Sequence, residues 1–490
     1  MMRSLYSGVS GLRVHQTKMD VIGNNIANVN TVGFKASSVN FSDIYYQTIQ
    51  SATGPNETTG AGGQNAMQIG LGSSVASIVA SITQTGGAQR TDNPYDIMIS
   101  GDSFFIVNSG GVNYFTKAGD FLPDKNGTLT TSSGATVMGW QVDPDDPTTI
   151  LKDTVSPLRI LSPENLYSEP EATTEAYISG NIDPQDEDIT DGGNGKLVTV
   201  SFYDSIGQQY TAKYNVLQTS TSTSAYNVTL SDIVDKNGQS IFVTKDSTTG
   251  KYSANAAIGT VKFGGQTLPA ITDADVDPDT GEITWPASTG TNTMSFDASG
   301  KFIGIDDTAT APTAAADDTK SLGLSITVTG DNPFKDINVD FTTITQYGAS
   351  GTSTIAGENG TTDGKNGGRK AGTMTGVGID ESGKIYGKYD NGESKLLGQI
   401  AVASFSNPSG LESVGGNMFA ETQNSGSFDG IGHDVTSDGG GMTTGVLEMS
   451  NVDLASQFTD MITTQRGFQA NSRIITTSDT LLEELINLKR

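Results

Sequence analysis

The two histidines are the first residues to consider as catalytic groups, because histidine is a common general base at neutral pH. His15 lies in an apolar-periodic N-terminal segment and His433 in a glycine-rich stretch, and neither has a local setting that indicates a Ser-His-Asp triad. The chain contains no cysteine, which excludes thiol nucleophiles, disulfides and cysteine-ligated metals. These residues predict no catalytic site and no cofactor.

One acidic stretch, "DADVDPDTGEI" at 273–283, invites comparison with a calcium-binding loop. Three aspartates match the first three alternating ligand positions of an EF-hand: Asp273, Asp275 and Asp277. Pro278 stands where that loop requires glycine, and Thr284 stands where it requires the bidentate glutamate. We therefore expect a solvated acidic turn and no metal site.

The charge of the chain is strongly negative and unevenly distributed. The formal net charge is −27; residues 1–90 carry +2, residues 450–490 carry −1, and the residues between them carry −28. An acidic surface argues against nucleic-acid binding, which depends on neutralising phosphates with lysine and arginine. Near-neutral ends can pack against copies of themselves, whereas an acidic middle suits a solvated outer surface.

Apolar residues recur every seven positions at both ends of the chain. At the N-terminus the stripe consists of Leu5, Val9, Leu12, Met19 and Ile26. At the C-terminus it consists of Leu454, Phe458, Met461, Phe468, Ile475 and Leu482. This spacing predicts two long helices that pair in a coiled-coil-like manner with each other and with other subunits. Two ordinary amphipathic helices packed on a globular core are the alternative.

Between these ends the sequence is typical of a β protein. Short runs of Val, Ile, Phe and Tyr alternate with Asn-Gly and Ser-Gly turns, which predicts mainly antiparallel hairpins. We expect a multidomain α+β fold with four parts. These are a helical domain (1–30 plus 447–490), an extended connector (31–90 plus 427–446), an inner β domain (91–168 plus 342–426) and an inserted outer β domain of one or two subdomains (169–341).

The stretch "NNIANVNTVGFK", residues 24–35, follows the first apolar stripe directly. It contains Asn24, Asn25, Asn28 and Asn30, then Thr31, Gly33 and Phe34. Asparagine competes with the helix for backbone hydrogen bonds, so this run is expected to end the helix and turn the chain into the connector. Gly33 is expected to adopt a positive φ or to allow a close backbone approach, and Phe34 to anchor the connector.

These residues resemble the N-terminal signature of bacterial flagellar axial proteins, the rod and hook family. The stretch 450–488 is similar to the C-terminal signature of that family. It includes Asn451 in "SNVD" and Gln465, Arg466 and Gly467 in "QRGF". Residues 104–130 and 376–426 look like an inner β domain of its hook members. The long insertion favours the hook branch, because rod subunits of the family have little between the two signatures.

The resemblance implies a structural subunit that polymerises into a curved, hollow helical tube and acts as a flexible universal joint. It implies an extracellular location in the flagellum, reached through the flagellar type III export apparatus without a cleaved signal peptide. The implied partners are copies of the chain, the distal rod, the hook cap and the hook–filament junction proteins. The N-terminus has no apolar signal-peptide core, and no segment is long and apolar enough to predict a transmembrane helix.

Three other functions remain open at this point. A distal rod subunit would build a straight tube from the same terminal signatures. A β-rich surface adhesin would use the acidic loops of 170–340 but would leave the terminal signatures without a purpose. A hydrolase could be inserted in the same variable region, although no paired carboxylates or triad are evident there.

Overall fold

The computed structural model describes residues 2–55, 60, 62–219, 224–308, 311–312, 320–349 and 351–488. The predicted domain ranges also include residues 1, 56–59, 61, 220–223, 309–310, 313–319, 350, 489 and 490, which lie outside the described residues. The described chain has a helix at each end and is dominated by β-strands between them. The contacts divide it into two compact units: unit 1 is Met1–Leu166, Met374–Lys388 and Ser394–Arg490, and unit 2 is Tyr167–Thr373 and Tyr389–Glu393.

The two terminal helices belong to unit 1. Helix α1 spans Met2–Ala27 and helix α2 spans Leu454–Asn487. With 34 residues, α2 is about 50 Å long at 1.5 Å per residue. Asp453 caps α2, since its carboxylate accepts hydrogen bonds from the backbone N–H groups of Ala455 and Ser456. The predicted terminal helices are therefore confirmed.

The strands between α1 and the first passage into unit 2 form a ribbon and the first half of a β domain. They are β1 (Ser37–Asp43), β2 (Tyr46–Gln50), β3 (Met67–Gly70), β4 (Ser73–Ala80), β5 (Ala88–Arg90), β6 (Ile97–Ser100), β7 (Phe104–Ser109), β8 (Val112–Thr116), β9 (Phe121–Pro123), β10 (Leu129–Thr131), β11 (Thr136–Gln141) and β12 (Ser156–Pro157). Strand β1 pairs with β4 and β2 with β3, both antiparallel, so the predicted connector contains a two-stranded ribbon. Both β1 and β4 contact α1.

The strands of the second half of the chain follow in order. They are β13 (Tyr167–Ser168), β14 (Glu175–Ile182), β15 (Lys196–Tyr203), β16 (Gln209–Gln218), β17 (Ala225–Asp235), β18 (Val243–Lys245), β19 (Tyr252–Ala254), β20 (Ile258–Phe263), β21 (Gln266–Leu268), β22 (Asn292–Phe296), β23 (Phe302–Asp306), β24 (Ser321–Val328), β25 (Ile337–Asp340), β26 (Ile344–Gln346), β27 (Ala356–Asn359), β28 (Gly372–Ile379), β29 (Lys384–Tyr389), β30 (Ser394–Ile400), β31 (Val402–Ala403), β32 (Glu412–Gly415), β33 (Met418–Ala420), β34 (Gly441–Thr444) and β35 (Val446–Glu448). Short 3₁₀ turns lie at Asp273–Asp275, Pro408–Gly410 and Val435–Asp438.

The β part of unit 1 is built on one large antiparallel sheet. Its neighbouring strands run in the order β29, β30, β11, β7, β8, β33 and β32. Strand β7 shows why the sheet is stable. Phe105 and Val107 point into one apolar cluster and Phe104 and Ile106 into another, so both faces of the strand are buried.

Unit 2 contains two sheets that share one apolar core. One sheet runs β21, β20, β24, β25, β14 and β26, with β27 also paired to β14; the other runs β15, β16, β17, β22 and β23. Strand β14 is parallel to β25 and β26, which departs from the antiparallel pairing found in most of the structure. The core mixes side chains of both sheets, as Tyr214 and Phe263 illustrate with ring centroids 4.8 Å apart.

The described structure differs from the predicted boundary at residue 341. Residues 342–373 belong to unit 2, because β27 pairs with β14 and because Arg369 bridges Glu171 and Glu393. Residues 389–393, predicted within the inner β domain, also belong to unit 2. The sequence shows no composition change at 373 that would have revealed this edge.

Candidate functional site at the junction of the chain ends

The asparagine run ends α1 through local hydrogen bonds. The Asn28 side-chain amide donates to the Asn24 carbonyl and to the Asn24 Oδ1, both at 3.0 Å. The Thr31 hydroxyl then donates to Asn28 Oδ1 at 3.2 Å. Asn30 is exposed and takes no part in these contacts. The Asn24 carbonyl also accepts from the Asn28 N–H at 3.2 Å, so the polar side chains add hydrogen bonds to the last turn of α1.

Asn25 does something different from the other asparagines, because it joins three elements. It is 1% exposed; its Oδ1 accepts from the Ser37 N–H at 3.0 Å and its Nδ2 donates to the Ser37 carbonyl at 2.8 Å. The same Nδ2 donates to Gln457 Oε1 at 3.1 Å. A single buried amide therefore connects α1, β1 and α2.

Gly33 has two separate reasons to be glycine. Its φ is +68°, in the left-handed region, and its N–H donates to the Glu448 carbonyl at 2.8 Å. A Cβ at this position would lie 2.7 Å from the Ala118 nitrogen. The expectation of a positive φ or a close backbone approach is confirmed on both counts. Phe34 is half-buried, and its carbonyl accepts from the Asn451 N–H at 3.4 Å.

Asn451, immediately before α2, is the C-terminal counterpart of Asn25. Its Oδ1 accepts from the Ala36 N–H at 2.7 Å, and its Nδ2 donates to the carbonyls of Ser81 at 3.0 Å and Gln84 at 3.1 Å. The two predicted signatures therefore meet in space, and each contributes one asparagine to the contact.

A buried ion pair lies at the centre of this junction. Lys35 Nζ is 2.7 Å from Glu448 Oε1, and the two side chains are 2% and 1% exposed. Lys35 also donates to the Gln84 carbonyl at 2.8 Å, and the Gly86 N–H donates to Glu448 Oε1 at 2.8 Å. Glu448 Oε2 is buried without a hydrogen-bond partner among the described residues.

Lys117 is a second buried cation beside this pair. Its Nζ donates to the Gly101 carbonyl at 2.6 Å and lies 5.1 Å from the centre of the Phe104 ring. Burial lowers the pKa of Lys117 to about 8; Lys35 lowers it further, whereas Glu448 and Asp102 act in the opposite direction.

Sequence reasoning missed Glu448 and Lys117 as parts of the site. Lys35 falls inside the quoted motif, but its partner is 413 residues away. A buried charge has no periodicity that would mark it, so only the three-dimensional contact reveals the pair.

The contact between α1 and α2 contains glycines, polar side chains, a histidine and apolar Ile475, whose Cγ1 lies 3.3 Å from where a Cβ on Gly8 would stand. A Cβ on Gly11 would lie 2.6 Å from Asn471 Nδ2, and a Cβ on Gly467 would lie 2.7 Å from His15 Nε2. Lys18 Nζ lies 3.3 Å from Asp460. The paired positions run in opposite directions along the chain, so the two helices are antiparallel.

The predicted apolar stripes are only partly covered by this contact. The half-buried members are Leu5, Leu12, Met19, Ile26, Met461, Phe468, Ile475 and Leu482. The exposed members are Val9 at 40%, Leu454 at 39% and Phe458 at 51%. Gln465 and Arg466 are exposed, whereas Gly467 faces His15. The stripes therefore keep apolar surface that the single chain does not bury.

Comparison with known proteins identifies family segments at both ends of the chain and between them. The sequence matches four family descriptions: "Flagella basal body rod protein" at 5–35, "Flagellar hook protein FlgE/F/G D1 domain" at 98–168, "Flagellar basal body protein FlaE D2 domain" at 165–361 and "Flagellar basal body rod FlgEFG protein C-terminal" at 443–488. The chain is 35% identical over 515 residues to the flagellar hook protein FlgE of Treponema pallidum, with 100% of both chains covered. It is also 35% identical over 498 residues to that of Borreliella burgdorferi, again with 100% of both covered.

The chain belongs to the flagellar hook protein family. The resemblance seen in the terminal signatures is thereby confirmed over the full length. A flagellar basal-body rod protein FlgG of Bacillus subtilis is also similar, at 27% identity over 490 residues, with 100% of both chains covered. The matched segments 5–35 and 443–488 contain Gly33, Lys35, Glu448 and Asn451, so both sides of the junction lie inside the terminal family regions.

One serine, one histidine and one aspartate do come together in this hook-family chain. Asp438 Oδ2 accepts from Ser103 Oγ at 3.0 Å and lies 2.6 Å from His433 Nε2. The carboxylate contacts both groups, whereas a nucleophilic triad requires the imidazole to contact the hydroxyl. This arrangement holds the 3₁₀ turn at Val435–Asp438 to the sheet and does not activate the serine.

The acidic stretch 273–283 is a turn, as the sequence predicts. Asp275 Oδ2 accepts from the Thr272 N–H at 2.9 Å and Asp277 Oδ1 from the Asp279 N–H at 2.8 Å, so local donors occupy the carboxylates. Among the residues that the structure describes, no group of three or more His, Asp or Glu side chains is arranged to hold a metal ion. Within the same residues, no helix has the length and apolarity needed to cross a membrane.

Proposed function

We propose that the chain is a structural subunit of the bacterial flagellar hook, not an enzyme, and that it polymerises into a curved hollow tube. The observation that carries this proposal is the junction, in which both family signatures meet through Asn25, Asn451 and the Lys35–Glu448 pair. Full-length similarity to proteins named flagellar hook protein supports it. In this role the tube transmits torque while bending, as a universal joint.

The uncovered apolar surface of unit 1 supports assembly with further copies. On α2, Phe458 is 51% exposed, Ile462 is 58% exposed and Ile486 is 65% exposed. On the ribbon, Tyr45 is 68% and Ile49 is 56% exposed. Burying such side chains stabilises association by roughly 25 cal/mol per Å² of apolar surface. A contact between two different faces of neighbouring copies does not close on itself and therefore builds an open helical tube.

The proposed roles of the domains follow from this assembly. The helical domain (1–30 plus 447–490) forms a coiled-coil-like inner layer, and the ribbon and the 427–446 segment connect it to the β domains. The unit-2 region carries a net charge of −17, which suits an outer, solvated position. The proposed partners are the distal rod, the hook cap, the hook–filament junction proteins and the type III export apparatus, and the proposed location is extracellular.

Electron microscopy of the purified chain in a kosmotropic salt tests the proposal, because such salts strengthen apolar burial. We expect curved hollow tubes from the full chain and none from the double variant Phe458→Asp/Ile462→Asp. The matched control is Thr459→Asp/Thr463→Asp, which adds the same charge at the same spacing to exposed polar positions of α2. Tubes from the first variant would contradict assembly through this face.

A distal rod subunit is the second candidate, and the similarity to a rod protein FlgG favours it. The same micrographs separate the two functions. Straight tubes would indicate the rod, whereas curved tubes would indicate the hook.

A further inference from the structure

The buried charges of the junction do not balance. Lys35, Lys117 and Glu448 are 4%, 3% and 1% exposed, so two potential cations share one carboxylate. They are close because Gly33 lies between their backbones. Its N–H donates to the Glu448 carbonyl at 2.8 Å, and a Cβ on Gly33 would lie 3.0 Å from the Lys117 carbonyl carbon.

The carboxylate uses only one of its two oxygens. Glu448 Oε1 receives both Lys35 Nζ and the Gly86 N–H, whereas Oε2 is buried and has no partner among the described residues. Each carboxylate oxygen can accept about two hydrogen bonds. A buried oxygen without a donor costs free energy, so this carboxylate has unused capacity for a second cation.

Lys117 has more hydrogen-bond donors than acceptors around it among the described residues. Its Nζ carries up to three N–H donors, but its hydrogen bond among the described residues is to the Gly101 carbonyl. The ammonium also lies 5.1 Å from the centre of the Phe104 ring. Asp102 is the other acidic residue whose charge acts on it.

We propose that Lys117 is an alternative partner for Glu448, so that the junction has two pairing states, one with Lys35 and one with Lys117. In the observed state Lys35 holds the carboxylate. In the other state the carboxylate turns to Lys117, and Lys35 keeps the Gln84 carbonyl. The carboxylate therefore has a counter-charge in both states, and the lysine that does not hold it keeps its hydrogen bond to a backbone carbonyl.

The lowered pKa of Lys117 is consistent with this exchange. With a pKa of about 8, Lys117 is still mostly protonated at neutral pH and can serve as a second counter-charge for Glu448. The role of the exchange in a bending tube rests on the proposed hook function. The exchange itself is a property of one chain.

A double-mutant cycle on the full chain tests the exchange. The variants are Lys35→Met, Lys117→Met and the double variant, each with Trp285→Phe so that Trp140 reports the unfolding of unit 1 in urea. We expect each single variant to change the unfolding equilibrium constant by less than about tenfold, because one lysine remains for Glu448. The double variant should change the unfolding equilibrium constant by at least about tenfold more than the product of the two single changes, because Glu448 is then buried without a counter-charge.

Glu448→Gln supplies the control for this cycle. Without the carboxylate, the excess in the double variant should disappear. If the double variant in the Glu448→Gln background still shows a change in the unfolding equilibrium constant beyond the product of the single changes, the proposal is overturned. It is also overturned if, with Glu448 present, the change in the double variant equals that product within threefold.

A second measurement needs only variants that keep the observed ion pair. Relaxation dispersion on ¹³C-labelled lysine side chains should show exchange at Lys35 in the wild type and none in Lys117→Met. A wild type without exchange would overturn the proposal. Tube formation is scored separately by electron microscopy: a wild type that folds and shows the coupling but forms no tubes would refute the hook function and leave the exchange standing.

Discussion

Replacing Gly33 with alanine tests whether the junction depends on the backbone of this one residue. The new Cβ meets two obstacles: a φ of +68° and the Ala118 nitrogen at 2.7 Å. The left-handed conformation costs an alanine about 1–2 kcal/mol. Overpacking against a backbone that cannot turn aside adds about 1–3 kcal/mol. We therefore expect Gly33→Ala to lower the free energy of unfolding of unit 1 by about 2–5 kcal/mol.

Gly110→Ala is the matched control. Gly110 lies in the turn between β7 and β8, has a φ of +64°, and has open space where a Cβ would stand. Only the conformational cost applies there, so the loss should be about 1–2 kcal/mol. The difference of about 2 kcal/mol between the two variants, roughly thirtyfold in the equilibrium constant, measures the clash with Ala118 alone.

The assay uses Trp140 as the fluorescent reporter, after the other tryptophan of the chain, Trp285, has been replaced. Trp140 lies in unit 1 and Trp285 in unit 2, so urea unfolding of each variant in a Trp285→Phe background reports unit 1 by fluorescence. Amide exchange by mass spectrometry of peptides covering 33–37 detects opening of the junction without unfolding of the sheet. If Gly33→Ala and Gly110→Ala lose the same free energy and show the same exchange, the steric reasoning is refuted.

Two further predictions concern the helix contact. Burial, and to a smaller extent the charge of Lys18, lowers the pKa of His15, so the unfolded chain binds a proton more readily than the folded chain. The free energy of unfolding should therefore fall as the pH decreases below about 6.5. Urea titrations at each pH should show this dependence in the wild type and not in His15→Gln. Gly11→Ala should destabilise the helix pair by up to about 2 kcal/mol, because an overpacking cost of about 1–3 kcal/mol at 2.6 Å from the Asn471 side chain exceeds the helix-propensity gain of about 0.5–1 kcal/mol. Gly23→Ala, whose Cβ would meet nothing within 4 Å, should stabilise α1 by about 0.5–1 kcal/mol. Thermal melts followed by circular dichroism compare the two variants. A change in stability of the same sign in Gly11→Ala and Gly23→Ala would contradict the assigned contact.

The sequence predicts the elements of the ends well, because each has a local cause. Apolar spacing predicts both helices, the asparagine run predicts the end of α1, and Asp453 is recognisable as a helix cap. The role of Gly33 is predictable for the same reason: an Asn-rich run followed by glycine requires unusual backbone geometry. The β character of the middle follows from the many short strands and turns.

The face through which the helices meet is not predictable in this way. A heptad count registers apolar side chains, whereas the contact between α1 and α2 depends on the absence of side chains at Gly8, Gly11 and Gly467. Of the predicted stripe residues, Ile475 lies at that contact, 3.3 Å from where a Cβ on Gly8 would stand. The partner of Lys35 is equally hidden, since a buried ion pair between distant residues leaves no pattern in either local sequence.

The clasp between Lys35 and Glu448 has a consequence for how a chain is completed. Positions 35 and 448 are near opposite ends of the sequence, so Glu448 can balance the charge of Lys35 only when both ends of the chain are present. A chain cut short anywhere between them would bury a lysine without its counter-charge, or would leave the junction open. The contact therefore needs residues from both ends of the chain, and a chain that ends before residue 448 cannot form it.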